Sequence, residues 1–417
     1  MRRIVADLPL VGIGLALSLY GLATVYSAGQ TDVITVAHYA WRSQIVWIAI
    51  AILAAFVVSR APVRLIDWLT IPMYLLSVLL LLVLLVPGFG GGAGTAASSK
   101  SWLVIAGHRL GQPSELAKIT VVLMLARVLS AKKDAPKTLA ELWKPSLVVG
   151  IPWLLIMRQP DLGSGLVFIG IFFAMLYWAG VSWPLLLLIA SPVVSLIGAF
   201  STWLWGIWFF LLLFLVWRYR PYLVEGIVLV VANIFMGILA PIIWDRLQPY
   251  QQRRLLTFID PTVDARGSGY HVIQSIVAIG SGGWFGKGYT LGTQKRLGYL
   301  PAQHTDFIFS VVGEELGFIG VTLALSLFLL LLLRAIRIAA RANDSFSSLI
   351  ALGLAASWFV HVLINVGMTL SLMPITGIPL PFFSYGGSFM LASWLSIGIL
   401  LRISSEGRGA RSDDFAV

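Results

Sequence analysis

The sequence predicts an all-α, polytopic transmembrane helix bundle of about ten to twelve spans with one large extracytoplasmic loop, and three observations carry that prediction. Of 417 residues, 59% are hydrophobic and only 11% charged, a balance that a bilayer absorbs and a water-soluble core does not. Apolar segments of about 17–25 residues recur along the chain, each enough to cross ~30 Å of hydrocarbon, and in lipid they must be helical to satisfy their own backbone groups. Arginine and lysine fall in short loops of one parity: Arg2/Arg3, Arg60/Arg64, Lys132/Lys133/Lys137/Lys144, Arg218/Arg220, Arg334/Arg337/Arg341 and Arg402/Arg408/Arg411. The positive-inside rule makes that face cytoplasmic.

Spans are expected near 8–27, 42–59, 68–87, 114–131, 145–158, 162–180, 182–200, 203–218, 223–244, 307–333, 347–372 and 384–403. The fifth and eighth are short, hence the range of counts, and an even number puts both termini on the basic side. The whole chain, 1–417, reads as one membrane domain. A net charge of +11 invites a nucleic-acid reading, but its confinement to alternate loops assigns it to topology. With no cysteine there is neither a disulfide framework nor a thiolate metal site. The basic start runs into a span without a small-residue cleavage site, so the first helix is expected to stay as an anchor.

Two outward connections stand out. The first, near 88–113, opens on the run Pro87-Gly88-Phe89-Gly90-Gly91-Gly92 and is expected to be flexible. The second, about 245–306, carries seven Arg or Lys residues on the side where short loops have few, which suggests work done outside. Within it, 270–279 has the spacing of a helix, re-entrant or flat on the outer surface. Residues 404–417 read as a flexible cytoplasmic tail.

The sharpest chemical group is His304-Thr305-Asp306-Phe307. Asp306 stands where the long loop enters a span, near a helix N-terminus whose dipole favours the ionised carboxylate. That position suits a general base at the water–lipid boundary; an ordinary helix cap is the competing reading. Glu314 and Glu315 follow about two turns deeper, where an ionisable group needs a partner or a function, and Gly313 and Gly317 beside them permit close helix approach. In Gln112-Pro113-Ser114-Glu115-Leu116-Ala117-Lys118, Pro113 fits a first helical position. Glu115 and Lys118, three apart, share a face and can pair, either as architecture or as substrate contacts. Arg109 just before them is a candidate for gripping phosphate. Arg158-Gln159-Pro160-Asp161 is another polar break. The run Gly280–Gly288, with Lys287, has the composition of an anion-binding nest for a pyrophosphate, although such runs are usually turns. Pro379–Ser388 breaks helix before the last span, and Asn365 adds a polar group to the helix before it.

Together these motifs resemble the SEDS family (shape, elongation, division and sporulation) over most of the chain. The resemblance is strongest at Gln112–Lys118, Gln159–Gly163, Gly269–Gly288, His304–Gly317 and Asn365–Ser388, and the stretch Gly269–Gly283 is closer to the RodA than to the FtsW branch. It implies a peptidoglycan glycosyltransferase that polymerises lipid II at the outer face of the bacterial cytoplasmic membrane during elongation. Asp306 then matches the family's essential aspartate, and Glu115 and Lys118 match its conserved acid and base of the fourth span. Gln112, His304 and Lys287 join Arg109 as substrate-binding candidates. The implied partners are lipid II and undecaprenyl-linked glycan, a class B penicillin-binding protein, other membrane proteins of the elongation complex and membrane lipids, with no nucleic acid. No nucleotide fingerprint or cofactor motif is present, because the lipid pyrophosphate brings its own leaving group; a divalent cation is left open. The chain departs from the pattern at Ser101, where an arginine is usual, which passes phosphate contact to Lys100 beside Trp102. Ser371 and Phe389 replace expected small residues, and 201–245 holds two helices beside the usual ten. A lipid-linked precursor flippase and a non-catalytic scaffold of the wall-synthesis complex remain the competing functions.

Overall fold

The structure is a computed structural model and describes residues 7–32, 36–91, 101–105, 108–132, 134–219, 222–247, 252–253, 256–258, 260, 268–300 and 302–413. The elements run α1 (Leu8–Ala28), α2 (Ala40–Arg60), α3 (Val63–Val83), then strands β1 (Gly90–Gly91), β2 (Trp102–Ile105) and β3 (His108–Gly111). Helices α4 (Pro113–Ser130), α5 (Trp143–Arg158), α6 (Leu162–Trp178), α7 (Trp183–Gly198), α8 (Thr202–Tyr219) and α9 (Leu223–Arg246) follow. The last third contains α10 (Ser268–Gly282), the single turn α11 (Thr293–Arg296), α12 (Ile308–Ala340), α13 (Ser345–Thr369) and α14 (Gly387–Asp413).

Among the described residues nine helices are long and apolar enough to cross a membrane, and α6 and α7 are shorter apolar helices. Helix α4 is of spanning length but carries Glu115, Lys118 and Arg127. That makes twelve, the upper count expected. Polar contacts fix the relative direction of several helices. At one end, Asp7 before α1 meets Arg334 late in α12 at 2.8 Å and Ser404 late in α14, while Asp67 early in α3 meets Arg127 late in α4. At the other, the end of α1 meets the segment before α12 through Gln303 and the carbonyl of Ala28, 2.7 Å. Among the described residues Arg64, Arg127 and Arg334 sit at the first end and the candidate chemistry at the second.

Close approach is set by small residues. A Cβ on Gly398 of α14 would stand 2.6 Å from the Ala55 carbonyl of α2, and one on Gly387 would run into Trp47, so these two helices pack almost backbone to backbone, as lipid-embedded helices do. The main core joins α1–α6 and α12–α14 through residues such as Leu17, Phe168, Phe328 and Trp394. Helices α7–α9 form a separate limb around Leu188, Leu212 and Leu229, pinned by Asn233, which donates to Ser191 and accepts from Ser195.

Three expectations change. The Gly-rich connection is not simply flexible: β1, β2 and β3 form an antiparallel sheet in that order, Gly90 facing Leu103 and Val104 facing Arg109. Residues 404–413 are helical, as α14 continues to Asp413; Glu406 holds Arg402 at 2.6 Å and accepts from the backbone of Val63. Residues 414–417 lie outside the described residues. The third span starts at Val63 rather than 68 because Pro62 serves as its N-cap residue.

Candidate functional site

Asp306 lies in the turn that leads into α12 and is 6% exposed. It is not the cap of that helix: the N-cap residue is Phe307, with no side-chain cap bond. What holds this turn is the last part of α13 together with the broken segment between α13 and α14. Three consecutive carbonyls are gripped from there: His304 O accepts from Tyr385 N at 3.0 Å, Thr305 O from Ser384 Oγ at 2.8 Å, and Asp306 O from Asn365 Nδ2 at 2.9 Å. Asn365 also donates to Ile378 O at 2.8 Å. Gln44 of α2 donates to Ser384 O and accepts from Gly386 N, so a third helix steadies the clamp. Pro379 and Pro381 supply no N–H, which is why this segment offers carbonyls and needs side chains to bind them. Phe382 within it has φ +63°, an unusual conformation for a bulky residue, held by packing of its ring against Trp358 and Trp394. The His304 ring lies 5.6 Å from that of Tyr385, and burial lowers its pKa below 6.5, leaving it neutral at pH 7.

A second constellation opens α4. Lys118 Nζ lies 2.8 Å from Glu115 Oε1 and 2.8 Å from Oε2. It also lies 2.8 Å from His361 Nε2 on α13. The His361 Nδ1 is 3.0 Å from Pro379 O. A carbonyl only accepts, so Nδ1 carries the proton and Nε2 accepts from the ammonium. All three side chains are buried. Phe389, an expected departure, lies against both: its ring centroid is 4.6 Å from the imidazole and 5.4 Å from Lys118 Nζ. Gln112 donates to Asp161 at 3.3 Å, and Asp161 caps α6 through Ser164 N. Glu115, Lys118, Ser393 and Ser396 border a cavity of about 20 Å³, room for one water.

Glu314 and Glu315 take the architectural course. Lys287 meets Glu314 at 2.8 Å, Lys295 meets Glu315 at 2.6 Å, and Ser27 at the end of α1 donates to Glu315. Lys295 also donates to the Ser27 carbonyl. The pyrophosphate nest expected at 280–288 is not available: Gly286 N donates to Gly282 O, Lys287 N to Glu314 O and Gly288 N to Glu315 O. The glycines serve contact instead. Gly317 has φ +60° with the Gly286 backbone against it, and a Cβ on Gly282 would run into the Gly313 carbonyl. Helix α10 thus lies against α12, where Ser275 reaches Ser310 and the Thr369 carbonyl.

Of the other candidates, Arg109 is exposed on β3 and Trp102 half-buried on β2; Lys100 lies outside the described residues, as do Gln248–Gln251 and Arg254. Among the described residues no group of three or more His, Asp or Glu is arranged to hold a metal ion. The structure therefore brings Asp306, His304, Gln112, Glu115 and Lys118 to one end of the bundle, and commits Lys287 to Glu314. Sequence reasoning missed His361, Ser384 and Gln44. The pair His361 and Asn365, four apart on one face of an apolar helix, was the available signal.

Fold and site together define a multi-pass helical membrane protein with a buried polar cluster at one end. The chain belongs to the FtsW/RodA/SpoVE family of cell cycle proteins, whose model matches residues 8–219 and 200–409. It is 34% identical over 394 residues to the peptidoglycan glycosyltransferase MrdB of Escherichia coli K12, covering 94% of this chain and 91% of that one. It is also 34% identical over 403 residues to a probable peptidoglycan glycosyltransferase FtsW of Trichlorobacter lovleyi, covering 96% and 93%. Among solved structures it resembles a chain of a peptidoglycan synthase complex, with TM-score 0.69, 29% identity and 97% and 98% coverage. The rod shape-determining protein RodA of Thermus thermophilus matches with TM-score 0.63, 25% identity and the same coverage.

Proposed function

We propose that this chain is a peptidoglycan glycosyltransferase that polymerises lipid II at the outer face of the cytoplasmic membrane. Its termini are cytoplasmic, a class B penicillin-binding protein is its partner, and its duty is elongation. The observation that carries the reading is the clamp on residues 304–306, which fixes a buried carboxylate where the loop meets the membrane, in a family whose relatives are named for this activity. Asp306 acts as general base on the 4-hydroxyl of the incoming sugar. That oxygen bonds to the anomeric carbon of the growing strand, the bond to the lipid pyrophosphate breaks with inversion, and the pyrophosphate leaves with the electron pair. Arg109, exposed on β3, and Lys100 are the cations proposed to offset its charge; Gln112, Trp102 and His304 contact the sugar lipids.

A flippase needs a charged path through the bilayer. Here Glu115, Lys118, Glu314 and Glu315 lie within the first turns of α4 and α12, at one end, which favours surface chemistry. The test is polymerisation by purified protein with its partner: glycan polymer and released undecaprenyl pyrophosphate are expected. Translocation of lipid II without polymer in an assembled complex would sink the reading.

A further inference from the structure

The turn bearing Asp306 and the Glu115–Lys118 pair are not separate fixtures. They are tied to adjacent residues of backbone, the turn to Ile378 and the pair to Pro379, and both ties come from one face of α13. Asn365 joins Ile378 O to Asp306 O. His361, one turn away on that face, joins Pro379 O to Lys118 Nζ. Ile378 is buried and Pro379 has a fixed φ, so a shift at one carbonyl is carried to the next. The chain of contacts thus runs from Glu115 through Lys118, His361, Pro379, Ile378 and Asn365 to Asp306.

From this geometry we infer that His361 is a positioning residue for the glycosyl transfer, setting the Asp306 turn against α4 through its two ring nitrogens. The inference rests on Asp306 being the base. Each nitrogen has one duty: protonated Nδ1 holds the Pro379 carbonyl, and unprotonated Nε2 takes one of the Lys118 protons, the others going to Glu115. Phe389 packs beside both groups, and its ring face favours the ammonium. A ring rotated out of place breaks both links at once. The catalytic carboxylate then loses its setting without losing any group that touches substrate, so the cost falls on turnover more than on substrate binding.

Three substitutions read the two nitrogens separately. Asparagine places an amide where Nδ1 stands, glutamine places one where Nε2 stands, and phenylalanine keeps the ring and removes both functions. His361→Phe should lower kcat of the complex with its partner by about 10- to 10²-fold while KM for lipid II changes by less than about threefold. His361→Asn and His361→Gln should each recover part of that loss. In a Lys118→Met background His361→Phe should add little further loss, because the link is already cut. A well-folded His361→Phe enzyme with unchanged kcat overturns the inference, as does loss confined to KM or a full additional loss on top of Lys118→Met. Should His361→Phe fail to fold, the asparagine and glutamine variants decide: wild-type turnover in both overturns it. Asp306→Asn run beside them separates the two readings, since near-normal turnover there removes the base and leaves the His361 effect to be read by itself.

Discussion

Glu115–Lys118 on α4 and Glu315–Lys295, which joins α12 to the segment after α10, are made of the same chemistry and are equally buried. Their neighbours differ. Lys295 is surrounded by fixed protein atoms, the carbonyl and hydroxyl of Ser27 and the Glu315 carboxylate, and the cluster bolts the segment after α10 to α1 and α12. Lys118 faces an imidazole that leads to the Asp306 turn, and its carboxylate partner borders a small cavity. One pair closes a joint; the other is the first link of a chain that ends at the proposed base. Pairing chemistry alone therefore does not tell architecture from function. What the partners touch next does.

The largest expected effect is at the end of that chain. Asp306→Asn keeps size and hydrogen-bonding capacity but cannot take the acceptor's proton, so polymer formation should fall by about 10²–10⁴-fold. Melting temperature should hold, since the turn is gripped through its backbone carbonyls, which Asn retains. Near-normal turnover by well-folded Asp306→Asn would remove the functional side of the comparison.

Breaking either buried pair comes next. Lys295→Met strands Glu315 in a dry site, and Glu115→Ala strands Lys118; each should cost about 3–5 kcal/mol, read by thermal unfolding in nanodiscs. The comparison sharpens in the double variants. Glu315→Gln/Lys295→Met should recover stability and activity together. Glu115→Ala/Lys118→Met should recover stability but leave turnover low, because His361 has lost its donor. Full recovery of turnover in the second would make both pairs architecture.

Smaller is the response to acid at His304. Burial lowers the pKa of its imidazole below 6.5 in the folded protein, so the unfolded chain binds the proton more readily. The stability this residue contributes is complete above pH 6.5 and is lost as pH falls through the folded pKa. Melting temperature should drop on acidification below 6.5, and His304→Gln should flatten that limb. An identical acid limb in His304→Gln would assign the effect elsewhere. Smallest of all is the ion pair of Arg296 and Asp32, nearly half exposed on both sides. Replacing Arg296 by glutamine should change stability by no more than about 1 kcal/mol, and a larger loss would make this rim contact part of the bolted joint.

Much of this was legible in one dimension because local physics suffices for it. Ten to twelve apolar stretches demand helices once lipid denies the backbone any other partner. Glu115 and Lys118 declare themselves by a spacing that puts them on one face. Asp306 stands out as a carboxylate at the mouth of a span, and Pro379–Ser388 as a break no helix tolerates. The sheet of β1–β3 escaped because its strands are only two to four residues long, too short for an alternating pattern to declare itself. The continuation of α14 escaped because a polar stretch looks like a tail until Glu406 finds Val63 and Arg402.

The rest belonged to the tertiary structure alone. Sequence determined that Asp306 sits at a boundary, but the side chains that hold its turn come from residues 59 and 79 positions away, and the acceptor for Lys118 lies 243 positions away. Sequence left open whether Glu314, Glu315, Lys287 and a glycine run serve chemistry or architecture. Folding turned N–H groups of the run onto the Gly282, Glu314 and Glu315 carbonyls and paired Lys287 with Glu314. The reason is that a side chain's duty is set by which donors and acceptors are left for it once the backbone is packed, and in a bundle of antiparallel spans those neighbours arrive from helices far apart along the chain.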